Sequence, residues 1–439
     1  MKDRRAAVAC RAWWRRMAVT AAVVVLAPAG GACLADNWPQ FRGPTGVGHT
    51  RAKDLPIRWG GPDRENVVWT APLVGEGHAS PIVWGDRVFV CTVHWPAGVT
   101  DRKKVIPEHH LLCYRAGDGK RLWDTTVRPG PWLRTDFRSG PGGGYAAPTP
   151  ATDGKAVYCV WGSAVMAAVD FGGKLLWRHE ITPRTFDVTV GGSPVLYRDT
   201  IVLLCAMAKK SDSRLVAYRT DSGEAKWATK MPTTAFGHST PILIDVGGVA
   251  QLVTVASGIT KTADALQSFR ASDGKRLWWC RGCADAASPA YGGGLVYFDS
   301  GRGGPGVAVE PGGSGDVSAT RIRWTIRNVP GGIGSPIIVG EHMYRLHGSY
   351  LGCWGLADGK RVYSERLKGI STSWASPVAD GRGYLYFANA GTSYVIRSGA
   401  KFEVLAVNSL GDGNHPSPAV AGGRIFLVGA KNVWCVGKE

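Results

Sequence analysis

Histidine recurs at one place in this sequence. His78, His238 and His415 each stand three residues before a proline that follows Ser or Thr, namely Pro81, Pro241 and Pro418. An imidazole passes protons near neutral pH and ligates metals. Five further Ser/Thr-Pro steps carry Ala147, Gly191, Ala286, Ile333 and Trp374 at the same offset. Three readings follow for the histidines: polar groups bonding neighbouring loops, contacts to a ligand or partner, or metal ligands. No metal site is expected, because His238 belongs to a different part of the chain from the other two. A second group lies in PGPWLRTDFRSGPGGGYAAP, residues 129–148, with Arg134, Arg138, Tyr145 and a glycine run. Glycine-rich backbone offers N–H groups to an anion, and two guanidinium groups would assist. The candidate ligand or partner contacts are therefore His78, Arg134, Arg138, Tyr145, His238, Trp374 and His415. Gly301-Arg302-Gly303-Gly304 is a second, lesser loop of that kind.

Other chemistry is scarce. Cys280 and Cys283 have CxxC spacing, but no His follows and no second pair completes a zinc site. A local disulfide or two free thiols is expected. There is no nucleophile elbow, GxxxxGK, HExxH or EF-hand loop, so no catalytic residue is assigned.

The elements that must position these residues show themselves by repetition. DGKRLW (118–123), GGKLLW (172–177), SGEAKW (222–227), DGKRLW (273–278) and DGKRVY (358–363) share one register. Each places Gly four residues before Trp123, Trp177, Trp227, Trp278 or Tyr363, and Trp69 and Trp324 end weaker copies. Ten residues before the aromatic stands a small side chain: Cys113, Ala167, Ala217, Ser268 or Cys353. The Pro steps alternate with this phrase at intervals of 69, 44, 47, 48, 47, 41 and 41 residues. Each step opens two apolar runs flanking a tight turn, as in SPIVWGDRVFV (80–90). Units of this length without helical periodicity match four-stranded propeller blades, which must stack in a ring to bury their faces. The expected fold is all-β, an eight-bladed propeller of antiparallel blades over 61–439, after an extended segment at 36–60. The eighth unit ends without its aromatic strand, so the strand of Trp69 is expected to complete the last blade and close the ring.

At these residues the sequence resembles the PQQ-repeat β-propeller family, named for pyrroloquinoline quinone. The Gly-x-x-x-Trp ending carries the likeness over about residues 60–438. The opening NWPQFRGPTGVG (37–48) resembles exported planctomycete-type members. In layout the chain is similar to the propeller lipoprotein of outer-membrane β-barrel assembly. The resemblance implies one of two roles. One is a quinoprotein dehydrogenase holding the quinone and Ca²⁺ in its channel. The other is a scaffold with no cofactor. The chain lacks an adjacent cysteine pair and a recurring acidic cluster, so a non-catalytic scaffold without cofactor is expected.

The first 35 residues read as a signal peptide: five arginines, an apolar run from Met17 to Ala29, and Cys33-Leu34-Ala35 at the cleavage site. The run is too short to span a bilayer, which needs ~20 residues. Gly30 stands where lipoprotein signals prefer Leu, so no anchor at Cys33 is expected. Cleavage lowers the formal net charge from +18 to +13. A basic exported monomer in the periplasm or outside the cell does not meet nucleic acid. An envelope protein or an anionic glycan is the expected partner.

Overall fold

The computed structural model describes residues 37–133, 144–182, 190–207, 209–234, 237–256, 258–370 and 374–438. The signal peptide therefore lies outside the described residues, as do Arg134 and Arg138 of the 129–148 loop. No helix among the described residues is long and apolar enough to cross a membrane.

The described strands form eight antiparallel sheets, one per Pro-step unit, making the eight-bladed propeller. Blade 1 is typical: Ile82–Trp84, Arg87–His94, Glu108–Arg115 and Arg121–Val127, in that order from the axis outward. The inner strand is short and begins after proline, which takes no ladder hydrogen bond there. The two middle strands are buried on both faces and read as nearly continuous apolar runs. Blade 4 adds a two-residue fifth strand, Gly315–Asp316, parallel to its outer edge.

The ring closes as expected. Val67–Pro72 pairs antiparallel with Asn432–Gly437, placing Trp69 opposite Cys435. The last blade thus takes three strands from the end of the chain and its outer strand from the beginning.

The repeated aromatic joins each blade to the next. Trp69 Nε1 donates to Ala116 O (2.9 Å), Trp123 to Phe171 O (3.0 Å), Trp177 to Thr220 O (2.8 Å) and Trp324 to Leu356 O (2.7 Å). Each acceptor lies in the turn of the following blade. The repeat glycine sits in that same turn, against the incoming ring. A Cβ on Gly119 would meet Trp69 at 2.5 Å, and one on Gly274 would meet Trp227 at 2.3 Å. Both glycines also hold positive φ, +74° and +71°, which side chains disfavour. The small column is the aromatic's cross-strand neighbour: Cys113 faces Trp123, Ala217 faces Trp227 and Cys353 faces Tyr363. In blade 2 the partner of Trp177 is Ala168, one residue later than the spacing suggests, because its turn is one residue shorter: Asp170 N–H bonds Lys174 O, where Arg115 N–H bonds Lys120 O in blade 1. Among the described residues Trp227 Nε1 is buried without a hydrogen-bond partner, and Trp278 bonds differently again. Its Nε1 turns to Gln251 of its own blade, which also holds Ser268.

The segment at 37–60 is not an outlying arm. Trp38 exchanges two backbone bonds with Val83 of blade 1, and Pro39 O accepts from Thr152 of blade 2. Arg42 reaches the carbonyls of Pro289 in blade 5 and Pro336 in blade 6 (3.2 and 2.7 Å). Gly48 and Thr50 pair with Ala379 of blade 7. The segment therefore crosses the bore from blade to blade and plugs it at the start of the inner strands. Trp38 and Arg42 are almost wholly buried.

CxxC chemistry does not arise. The strand Arg276–Ala284 puts positions three apart on opposite faces. The described residues hold no disulfide, and burial pushes the Cys280 thiol up to about 11. The sequence also carries an adjacent pair of imidazoles, His109 and His110. They lie in the strand Glu108–Arg115 and are buried.

Candidate functional site

The residue before each step's proline is Ser or Thr in all eight units: Ser80, Thr149, Ser193, Thr240, Ser288, Ser335, Ser376 and Ser417. The structure gives the reason. Each of these residues donates its backbone N–H to the hydroxyl of the same residue in the next blade. The bonds run at 2.8–3.1 Å from Ser80 to Thr149 and onward, until Ser417 returns to Ser80. Eight blades are thus laced by one closed circle around the axis. A buried N–H needs an acceptor, and a short hydroxyl side chain is the one within reach.

This circle floors a cavity of about 370 Å³. Phe41 of the plug also lines it, so the cavity is a cup with its mouth on the side of the pre-proline loops. The whole column read three residues before the prolines lies on its wall. Two sides of the cup differ in chemistry. At blades 7, 8 and 1, Trp374 stacks on His415 (ring centroids 4.7 Å apart, planes at 21°). His78 meets both rings edge-on, at 5.3 Å from His415 and 6.5 Å from Trp374. Asn414 braces His78, with its Oδ1 2.8 Å from Nδ1. Burial, and then the neighbouring His78, hold the His415 imidazole below its ordinary pKa, so it stays neutral at pH 7.

At blades 4 and 5 the wall is polar. The backbone N–H of His238 donates to Asp285 O (2.9 Å), and its Nε2 lies 3.9 Å from Asp285 Oδ1. Asp285 is nearly buried, and its other oxygen accepts from Arg302 Nε. The Arg302 side chain is 49% exposed and lines the cup.

The column His78, His238, Trp374 and His415 is brought together in one cavity. Tyr145 is not. It is fully buried between blades 1 and 2, packed on Trp95 and His109 (6.1 and 6.2 Å). An aromatic next to a glycine run reads as a loop tip in sequence, yet here it anchors the loop to the core. Sequence reasoning passed over the Ser/Thr circle, although its signal was present in all eight units. It also ranked the Arg302 loop second. Among the described residues no group of three His, Cys, Asp or Glu side chains is placed to hold a metal ion.

Comparison with known proteins agrees with this architecture. No curated protein matches the sequence. BamB from Moraxella catarrhalis superposes with a TM-score of 0.52 at 11% identity, covering 78% of this chain and 95% of that one. Quinohemoprotein alcohol dehydrogenase from Comamonas testosteroni gives 0.61 at 12% identity, covering 92% and 81%. The computationally designed Ika8 protein gives 0.54 at 11%, covering 85% and 100%. Identities this low speak for the fold alone. The sequence model of the family described as outer membrane protein assembly factor BamB matches residues 66–305, more than half of the chain. With its blades, closure and repeat in place, the chain belongs to that PQQ-repeat β-propeller family.

Proposed function

We propose that this chain is an exported, non-catalytic binding propeller of the cell envelope, with the cup and its rim as the contact surface. The observation that carries this reading is the make-up of the cup. Its wall combines an aromatic stack, hydroxyl and guanidinium donors, and no Asp or Glu side chain among its described lining residues. The family's namesake is an outer membrane protein assembly factor, and the signal-like N-terminus supports the same compartment.

The quinone reading fits the cup less well. Calcium takes about six to eight oxygen ligands, with carboxylates leading. The cup supplies neutral hydroxyls and a cation instead. Asp285 is turned to Arg302 and His238.

A titration with pyrroloquinoline quinone and Ca²⁺, followed by dye reduction with alcohols and sugars, tests the reading. We expect no binding at tens of micromolar, a limit of about −6 kcal/mol, and no dye reduction. Tight one-to-one binding with turnover would make the protein an oxidoreductase. Fractionation of native cells should recover the protein with the envelope.

A further inference from the structure

The cup's free hydrogen-bonding groups lean to donors, and that narrows what it can hold. Every hydroxyl of the circle already accepts an N–H from the preceding blade. Each hydroxyl keeps one lone pair, but no described residue accepts its proton, so the floor offers a donor from every blade. Arg302 spends Nε on Asp285, and no described residue accepts from its terminal nitrogens. No carboxylate competes for them on the described wall. The ligand that suits this cup is therefore rich in acceptor oxygens and brings a carboxylate to the Arg302 terminal nitrogens, which Asp285 leaves free.

The other wall adds shape. Trp374 is held flat by its stack on His415, and an indole face is electron-rich. It suits a ring that lays polarised C–H bonds against it. The volume of about 370 Å³ lies at the small end of ligand pockets, which run from ~300 Å³ upward. Phe41 closes the far end, so nothing threads through. One ring fits, either free or as the end of a chain entering by the mouth.

We propose that the cup binds a carboxylated pyranose, a uronate. Its carboxylate pairs with Arg302, its C–H face lies on Trp374, and its ring and hydroxyl oxygens accept from the floor. An aromatic acid would satisfy Arg302 and Trp374 but present C–H edges to eight hydroxyl donors, leaving them unpaired. A neutral sugar would satisfy the floor and leave the terminal nitrogens of Arg302 without a carboxylate to bridge them, its Nε alone being paired with Asp285.

This assignment rests on the reading of the cup as a binding site, and the test separates the two. Calorimetric titration of the purified exported protein with D-glucuronate, D-glucose and benzoate is the measurement. Glucuronate should bind one site, at least about tenfold tighter than glucose or benzoate. Arg302→Gln should weaken glucuronate by at least about tenfold and abolish its advantage over glucose, while Arg302→Lys keeps the preference. Because Arg302→Gln also strips a partner from buried Asp285, Trp374→Ala serves as the second variant. It should weaken both sugars alike by about tenfold with the melting temperature unchanged. Equal affinity for glucose, or glucuronate binding untouched by either variant, overturns the uronate. Benzoate bound alone, and lost in Trp374→Ala, overturns the uronate but leaves the cup a ligand site. No saturable heat from any of the three up to about 10 mM, a limit near −3 kcal/mol, overturns the uronate. The envelope reading then stands or falls on fractionation.

Discussion

His109 shows how much one residue decides. Its ring stacks on Trp161 at 5.3 Å and bonds Ser163 Oγ at 2.6 Å through Nε2. It has no exposed surface, and burial pulls its pKa down to about 3. In the unfolded chain the same group titrates near ~6.5. Between those values the unfolded state holds the extra proton, so stability falls as pH falls, by up to about 1.4 kcal/mol per pH unit. His49, His94, His347 and His415 are lowered as well, burial being the first cause in each. We expect urea midpoints that are flat from pH 8 to 7 and drop steadily below about 6.5. His109→Gln, which cannot titrate, should make that drop shallower. A midpoint independent of pH down to 4.5, a range of about two units below the free value, would contradict the argument. At this scale the sequence was half legible. A column of residues before eight prolines could be read as a rim. That Trp374 stacks on His415, or that Arg302 turns into the same cup, depends on loops with no periodicity.

At the scale of the blade, the Gly-x-x-x-Trp phrase was legible because it is repeated. Its reason was not, because the two residues that clash belong to different copies. The glycine of one blade makes room for the tryptophan of the blade before it. This makes a paired prediction. Gly274 and Gly247 both hold left-handed backbone, with φ of +71° and +61°. Only Gly274 has a neighbour in the way, Trp227, while a Cβ at Gly247 would meet nothing within 4 Å. Gly247→Ala should cost about 1 kcal/mol, the backbone penalty alone. Gly274→Ala should cost about 2–4 kcal/mol, since overpacking adds to it. Urea denaturation of the two variants measures the difference. Equal costs would mean the ring is not what excludes the side chain.

At the scale of the whole molecule, the number of blades and the closing strand could be read by counting, because each unit announces its own start and end. The plug could not. Residues 37–60 repeat nothing, and their partners are scattered across the chain: Trp59 N–H bonds the Asn408 side chain, 349 residues away. Arg42 carries the most exposed wager. Among the described residues it is buried without a carboxylate and served only by the carbonyls of Val47, Pro289 and Pro336. That burial lowers its pKa to about 9. Arg42→Met keeps the length and removes the donors. We expect a loss of about 2–4 kcal/mol from the stranded carbonyls. A melting temperature equal to that of the parent would show that the plug is held by its apolar contacts alone.

The outer strand of the last blade precedes every other strand in the sequence, yet its partner follows them all. Val67–Pro72 has no sheet to join until Asn432–Gly437 exists. A chain interrupted anywhere before that strand is therefore not a slightly shorter propeller. It is an open arc with an unpaired edge at each end. The same pairing that seals the ring thus reports that every blade is present, since a chain without Asn432–Gly437 cannot shut it.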